Sequence, residues 1–388
     1  MGKNAKVTRA QALRKWREHR LSKLHGYPVG KVILLGICVL LASCGGRPAE
    51  FAIYPEQPAE GTSVSILTVT SRAAEDDRSI PFAGGRSASL SYTEIDVWVP
   101  ENRKPGSIKL PDEKPDPRTQ FGITGLTDLT SEAAALRALN RQLDRLPPGK
   151  RDVVVFVHGY NVSYVSGVYR HAQILHDFGR NAAGLHYSWP SAAKTSAYLY
   201  DRDSVQFSRD GLVATLEVAA RSKANSVAVV AHSMGTLLTM EALRQVALTG
   251  KTSVLRRISP LILAAPDIDE RVFEAQIVKI RPLPEPFIIL ASQKDKALKL
   301  SRDLRGGTPR VGQGNNIEDL QGLGISVIDL STITDGQDGA SHATFANSPT
   351  LISLMQSGAI SPNSLPEDEQ ALSSRLGDRV ADMFFLGQ

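Results

Sequence analysis

Ser233 stands where a serine can become a nucleophile. It lies in Val227-Ala-Val-Val-Ala-His-Ser-Met-Gly235, in which four apolar residues run into a tight turn of small residues. The helix-forming run Thr236-Leu-Leu-Thr-Met-Glu-Ala-Leu-Arg-Gln follows at once. A strand, a sharp turn and a helix with serine at the apex lift the hydroxyl clear of the backbone. The helix N-terminus beside it supports developing negative charge. The positions two before and two after the serine must be small, because the strand end packs against the helix start. Ala231 and Gly235 meet that need, with alanine in the place where glycine is commoner. A serine hydroxyl remains a poor nucleophile until a base takes its proton, so a histidine and an orienting carboxylate have to be found.

In the α/β-hydrolase fold these partners follow in the order serine, acid, histidine. Of eight histidines only His342 lies after Ser233, in Gly339-Ala-Ser-His-Ala-Thr-Phe. Catalytic groups belong at the carboxyl ends of the strands. Two sets of acids qualify there. Asp295 ends the strand Phe287-Ile-Ile-Leu-Ala-Ser-Gln-Lys-Asp, and Asp267 with Asp269 ends the preceding one. Asp295 is the favoured acid; the other pair is the alternative, or else caps the helix that follows. A tetrahedral intermediate needs two donors for its oxyanion. The amide of Met234 is one candidate. Tyr160, after the strand Asp152-Val-Val-Val-Phe-Val-His-Gly, is the other, with Asn161 second to it. His158 and His232 end apolar strands and are expected to orient turns through hydrogen bonds. No histidine pair has metal-ligand spacing, so neither a metal nor a cofactor is expected.

The elements that must hold these residues alternate. Apolar runs at 64–70, 90–99, 152–158, 184–189, 227–231, 259–269, 287–295 and 325–331 read as strands, the sixth and seventh ending in acidic residues. Helical patterns lie between them at 131–146, 164–179, 203–223, 234–248, 271–279 and 296–304, with two more at 350–357 and 367–385. This alternation predicts an α/β protein with a mostly parallel central sheet and helices on both faces. Residues 72–86 and 100–118 read as polar surface loops. Residues 306–324, with six glycines, read as a loop that, like the one after Pro190, is a candidate lid.

His158-Gly-Tyr-Asn, Tyr187-Ser-Trp-Pro, Ala231-His-Ser-Met-Gly, Ala265-Pro-Asp-Ile-Asp and Ser292-Gln-Lys-Asp-Lys-Ala-Leu resemble, as a set, a bacterial α/β-hydrolase family of poorly characterised function. Its members are labelled esterase/lipase superfamily proteins. The resemblance runs from Val64 to Phe345. It implies carboxylic ester hydrolysis and favours Asp295 and His342 as partners of Ser233, without naming a substrate.

The N-terminus reads as an address. Residues 1–43 hold nine Lys and Arg and one acid, Glu18, leading into Val32-Ile-Leu-Leu-Gly-Ile-Cys-Val-Leu-Leu41. Ten apolar residues are too few to span a bilayer and suit a signal-peptide core. Leu41-Ala-Ser-Cys44 is similar to the lipobox of bacterial lipoproteins, which implies lipidation at Cys44. The stretch before Lys31 is long for a signal peptide, and Val29 is a candidate alternative start. Gly45, in place of an aspartate after the cysteine, points towards the outer membrane. The expected organisation is a signal peptide at 1–43, a proline-containing tether at 44–60 and one hydrolase domain at 61–388. Outside the leader 36 basic and 39 acidic residues remain, which argues against a nucleic-acid-binding surface. The two cysteines, Cys38 and Cys44, both precede the predicted domain, which therefore contains no disulfide.

The expected protein is a serine hydrolase, lipid-anchored in the cell envelope and facing the periplasm. It acts on small-molecule or lipid esters through an acyl-enzyme. Two alternatives remain open at this stage. One is another acyl transfer to or from an amide, a thioester or a lipid; the other is a non-catalytic envelope binding protein on the same fold.

Overall fold

The computed structural model describes residues 49–179, 182–314, 317–336 and 342–357. The leader, Cys44, the residues just before His342 and the helix expected at 367–385 lie outside them. The chain from Ala49 onward forms one compact unit.

Nine strands build a single sheet: β1 (Gly61–Ala74), β2 (Phe82–Pro100), β3 (Gly122–Leu129), β4 (Asp152–Val157), β5 (Ala182–Ser188), β6 (Ser226–His232), β7 (Ile258–Ala264), β8 (Phe287–Ala291) and β9 (Ser326–Asp329). Their order is β3-β2-β1-β5-β4-β6-β7-β8-β9. The first three strands pair antiparallel with one another, and β1 and all later strands run parallel. β4 explains the parallel part: Val153 to Val157 are all buried, as a strand covered on both faces requires. The chain steps from β4 to one side to make β5, then crosses to the other side to make β6. The loops after β4 and β6 therefore diverge to opposite faces and leave a crevice at the carboxyl ends of the two strands.

The helices are α1 (Glu132–Asp144), α2 (Tyr164–Asp177), α3 (Tyr198–Arg221), α4 (Met234–Leu248), α5 (Thr252–Arg257), α6 (Glu270–Ile277), α7 (Lys296–Leu304), α8 (Ile317–Gly322), α9 (Thr344–Asn347) and α10 (Pro349–Ser357). Side chains from α1, α3 and α4 pack on one sheet face with Val153, Val155, Val157, Val227, Val229 and Ala231. α2 covers the other face, over Val154, Phe156 and Ala228. Among the described residues no helix is long and apolar enough to cross a membrane.

Some elements differ from the sequence expectation, each for a physical reason. β3 was not expected, because its apolar residues Ile123, Leu126 and Leu129 do not alternate; a register shift opposite Asp96 and Val97 absorbs the irregularity. β1 and β2 run into the segment expected to be a loop, leaving only 75–81 between them. α3 begins at Tyr198, ahead of Asp203, because its N-cap is Ala197, which has no capping side chain to read. α8 occupies part of the glycine-rich stretch. Phe51, Ala52 and Tyr54, within the expected tether, are buried, and the Tyr54 amide donates to the Ile123 carbonyl (2.8 Å).

The irregular segment at 101–121 is fastened to α2. Arg103 pairs with the buried Asp177, and the Gly106 amide and Gln173 Nε2 each donate to Asp177 Oδ2 at 2.7 Å. Burial alone would raise the Asp177 pKa. Hydrogen bonds from His176 and Arg103, and the Arg103 charge, outweigh it and hold the carboxyl well below its usual range. A carboxylate with a depressed folded pKa stabilises the fold above its unfolded value of about 4 and loses that contribution as the pH falls further. Asp177→Asn is expected to lower the unfolding free energy at pH 7 by about 3–5 kcal/mol, the cost of breaking a buried pair. In urea denaturation the wild type should then lose stability between about pH 5 and pH 2 more steeply than the variant.

Candidate active site

β6 ends at His232 and α4 begins at Met234, so Ser233 alone makes the turn. Its φ of 52° and ψ of −124° lie where L-residues are strained. The surroundings impose this conformation. The Ser233 amide donates to the Ala264 carbonyl (2.9 Å), and the Thr236 amide and hydroxyl both donate to the Ser233 carbonyl (3.0 and 2.6 Å). Backbone from β4 presses in from the side. A Cβ on Gly235 would lie 2.2 Å from the His158 carbonyl oxygen, and one on Gly159 would lie 2.9 Å from Ser233 Cβ. Both glycines are therefore required for the end of β4 to approach the elbow.

His342 follows β9, and its Nδ1 lies 2.7 Å from Asp295 Oδ2. A carboxylate can only accept, so Nδ1 carries the proton and Nε2 is left as the basic nitrogen. Asp295 is fully buried, and its other oxygen accepts from the Leu298 amide (2.9 Å), capping α7. One carboxylate thus starts a helix and orients an imidazole. The other acids are engaged elsewhere. Asp267 accepts from Ser301 Oγ (2.6 Å) and Tyr198 Oη (2.8 Å), and Asp269 caps α6. The structure brings Asp295, and neither Asp267 nor Asp269, to His342.

Two backbone amides beside the elbow have no acceptor among the described residues. Neither Met234 N–H nor Tyr160 N–H donates a hydrogen bond among the described residues. Asn161 N–H donates to Asp201 Oδ2 (3.1 Å) and is therefore committed. Asp201 also accepts from the Ala192 amide (2.7 Å) and from Ser191 Oγ (2.5 Å), so it ties the loop after β4 to the loop after β5. Arg72, fully buried at the end of β1, ties the same loops: it donates to the Val162 carbonyl (2.8 Å) and the Ser191 carbonyl (2.9 Å). Neither residue was singled out from the sequence. Each acts on loops more than eighty or within forty residues away, and no local pattern marks such a role.

The two histidines that end strands hold turns. His158 Nδ1 donates to the Gly159 carbonyl (2.8 Å), and its ring stacks on Trp189 at 4.8 Å. His232 Nε2 donates to the His342 carbonyl (3.1 Å), with the two rings 4.7 Å apart. A cavity of about 300 Å³ opens on the α2 side, lined mainly by Ile108, Leu110, Phe156, Val162 and Phe345, with Arg170 also at its wall. It reaches Gly159, His232 and Ala343, the residues adjoining Ser233 and His342. Among the described residues no three His, Cys, Asp or Glu side chains converge as metal ligands would.

Residues 131–358, more than half of the chain, match the family described as alpha/beta hydrolase of unknown function (DUF900). No curated protein matches. Among solved structures, the chain is similar to lipase B from Aspergillus fumigatus at 16% identity, covering 66% of this chain and 69% of that one with a TM-score of 0.34. It is also similar to dienelactone hydrolase from Anabaena variabilis at 9% identity, covering 77% and 97% with a TM-score of 0.34. A Rhizomucor miehei esterase shares 12% identity over 77% and 82%, with a TM-score of 0.33. The chain belongs to the alpha/beta hydrolase family that its residues 131–358 match.

Burial keeps four histidines uncharged around this site. His158 and His171 are pushed down to about 3, and His186 and His232 lie well below the ordinary value, in each case chiefly through burial. Such groups bind protons in the unfolded chain below about pH 6.5 but not in the folded one, so stability is full above that pH and falls as the pH drops. Neither ring nitrogen of His171 has a hydrogen-bond partner among the described residues. His171→Phe is therefore expected to leave stability at pH 8 unchanged or raised. It should also remove one proton, about 1.4 kcal/mol per pH unit, from the slope of unfolding free energy between about pH 6 and pH 4. Chemical denaturation across that range measures both.

Proposed function

We propose that this α/β hydrolase is a serine hydrolase that cleaves carboxylic esters through an acyl-enzyme. The observation that carries the reading is the His342–Asp295 pair, whose His342 carbonyl accepts from His232, the residue just before the strained, over-determined Ser233. In this reading Ser233 Oγ attacks the ester carbonyl while His342 Nε2 takes its proton. Asp295 holds the imidazole tautomer and stabilises the imidazolium without itself being protonated. The uncommitted amides of Met234 and Tyr160 receive the oxyanion, and the helix start of α4 adds its dipole. The alcohol leaves with the proton from His342. Water, deprotonated by the same nitrogen, then releases the acid and restores Ser233. No cofactor enters. The apolar cavity beside Gly159 and His232 suits the acyl chain. With Cys44 lipidated, the enzyme is membrane-tethered in the envelope and faces the periplasm, where it meets small-molecule or lipid esters.

A fluorophosphonate probe reacts only with an activated serine. The full-length protein is expected to label, and Ser233→Ala and His342→Ala to lose labelling while keeping the wild-type melting temperature. Asp295→Asn should lower kcat on a short-chain ester by about 10⁴-fold, because the wrong tautomer then faces the serine. Labelling that survives Ser233→Ala would place the nucleophile elsewhere. A folded wild type that never labels would favour a non-catalytic binding protein.

A further inference from the structure

Three arginines lie around Asp267 and Tyr198: Arg310 pairs with Asp267, Arg305 bonds to Tyr198, and Arg202 follows Tyr198 by one turn of α3. Asp267, whose amide reaches the Ser233 carbonyl (3.4 Å), is the anchor of this group. Arg310 is fully buried, and its Nε lies 3.4 Å from Asp267 Oδ1. That oxygen already accepts from Ser301 Oγ, and Oδ2 accepts from Tyr198 Oη. Arg310 Nη1 and Nη2 are buried with no hydrogen-bond partner among the described residues, and so is Nη1 of the half-buried Arg305. Arg202, also half-buried, stands one helical turn beyond Tyr198 on α3, the tyrosine that donates to Asp267. Its pKa is lowered, first by burial and then by the Arg305 charge. Arg310 is lowered likewise by burial and by Arg305, against the opposing pull of Asp267.

Asp267 is the carboxylate paired with Arg310, and among the described residues Nη1 and Nη2 of Arg310 and Nη1 of Arg305 are left without an acceptor. Buried donors and like charges in contact are costly unless an anion meets them. The cluster also adjoins the chemistry. The Tyr198 ring packs edge-on against Tyr160 at 5.4 Å, and Tyr160 carries the second oxyanion amide. Tyr160 and Tyr198 pack on the core under α3 and α4, whereas Phe156 and Phe345 of the cavity belong to the core under α2. Ser233 lies between the two.

We infer that Arg202, Arg305 and Arg310 form a subsite for an oxyanion, carboxylate or phosphate, carried by the part of the ester that points away from the apolar cavity. The substrate is then an anionic ester with an apolar acyl chain. This rests on Ser233 as nucleophile, although the subsite itself can be read without turnover. Planar guanidinium forks suit both oxyanions, and partial burial strengthens each contact.

The test compares three butyrate esters on the full-length protein: those of ethanol, glycolate and 2-hydroxyethyl phosphate. At least one anionic ester is expected to exceed ethyl butyrate by about tenfold or more in kcat/KM, carried by KM, and added salt should reduce the advantage. Which of the two exceeds it identifies carboxylate or phosphate. Arg305→Gln and Arg202→Gln should each bring the ratio close to one, while Arg221→Gln, at an exposed pair with Glu132, keeps it. Separately, inorganic phosphate or glycolate should raise the melting temperature of the wild type in a concentration-dependent way, and not that of Arg305→Gln. Equal rates on all three esters, with no melting shift from either anion, would overturn the subsite. If the fluorophosphonate probe does not label and all three esters are inert, the nucleophile reading fails by itself, and the melting shift alone decides the subsite.

Discussion

The structure turns on a backbone contact. β4 and β6 are parallel neighbours, and the chain leaves them in opposite directions, so their carboxyl ends can approach more closely than packed side chains would permit. Gly159 and Gly235 make that approach possible, because each sits where a Cβ would meet backbone or the serine itself at under 3 Å. Ser233 takes the strained conformation because its carbonyl and amide are held by four donors and acceptors from β7, α4 and the loop after β7. Local strain of about 1–3 kcal/mol persists only when it is over-determined in this way.

Polar groups buried around the crevice maintain it. Arg72 and Asp201 both hold the loops after β4 and β5, Arg72 through carbonyls and Asp201 through amides. His232 and His158 fix the turns beside them, and burial keeps both rings neutral, so each nitrogen that donates has a carbonyl to receive it. A charged imidazole in either place would lie near Arg72 or His342 and repel it. Taking these rings out of water therefore holds the turns and is expected to lower stability in acid.

The crevice is asymmetric. Towards α2 it opens on an apolar cavity, whose wall includes Ile108 and Leu110 from the segment that Asp177 pins to α2. Towards α3 and α7 it meets hydroxyls, carboxylates and guanidinium groups.

Much of this was legible in the sequence. The strand–turn–helix around Ser233, the alternation of strands and helices and the position of His342 after Ser233 all follow from local pattern and chain order. The family match and the parallel sheet bear out the fold class. Other features depended on the third dimension. Asp295 was the favoured acid in one dimension, with Asp267 and Asp269 left open as the alternative. Only the folded chain shows that Asp295 Oδ2 meets His342 while Asp267 is occupied by Tyr198 and Ser301. β3 and the start of α3 escaped notice because a register shift and an uncapped N-terminus leave no periodic signal. Arg72, Asp201 and Arg310 act on partners up to about 120 residues distant. Periodicity and capping report what a residue does within its own element. Which distant charges end up within a few ångströms of one another is decided only by how the elements pack.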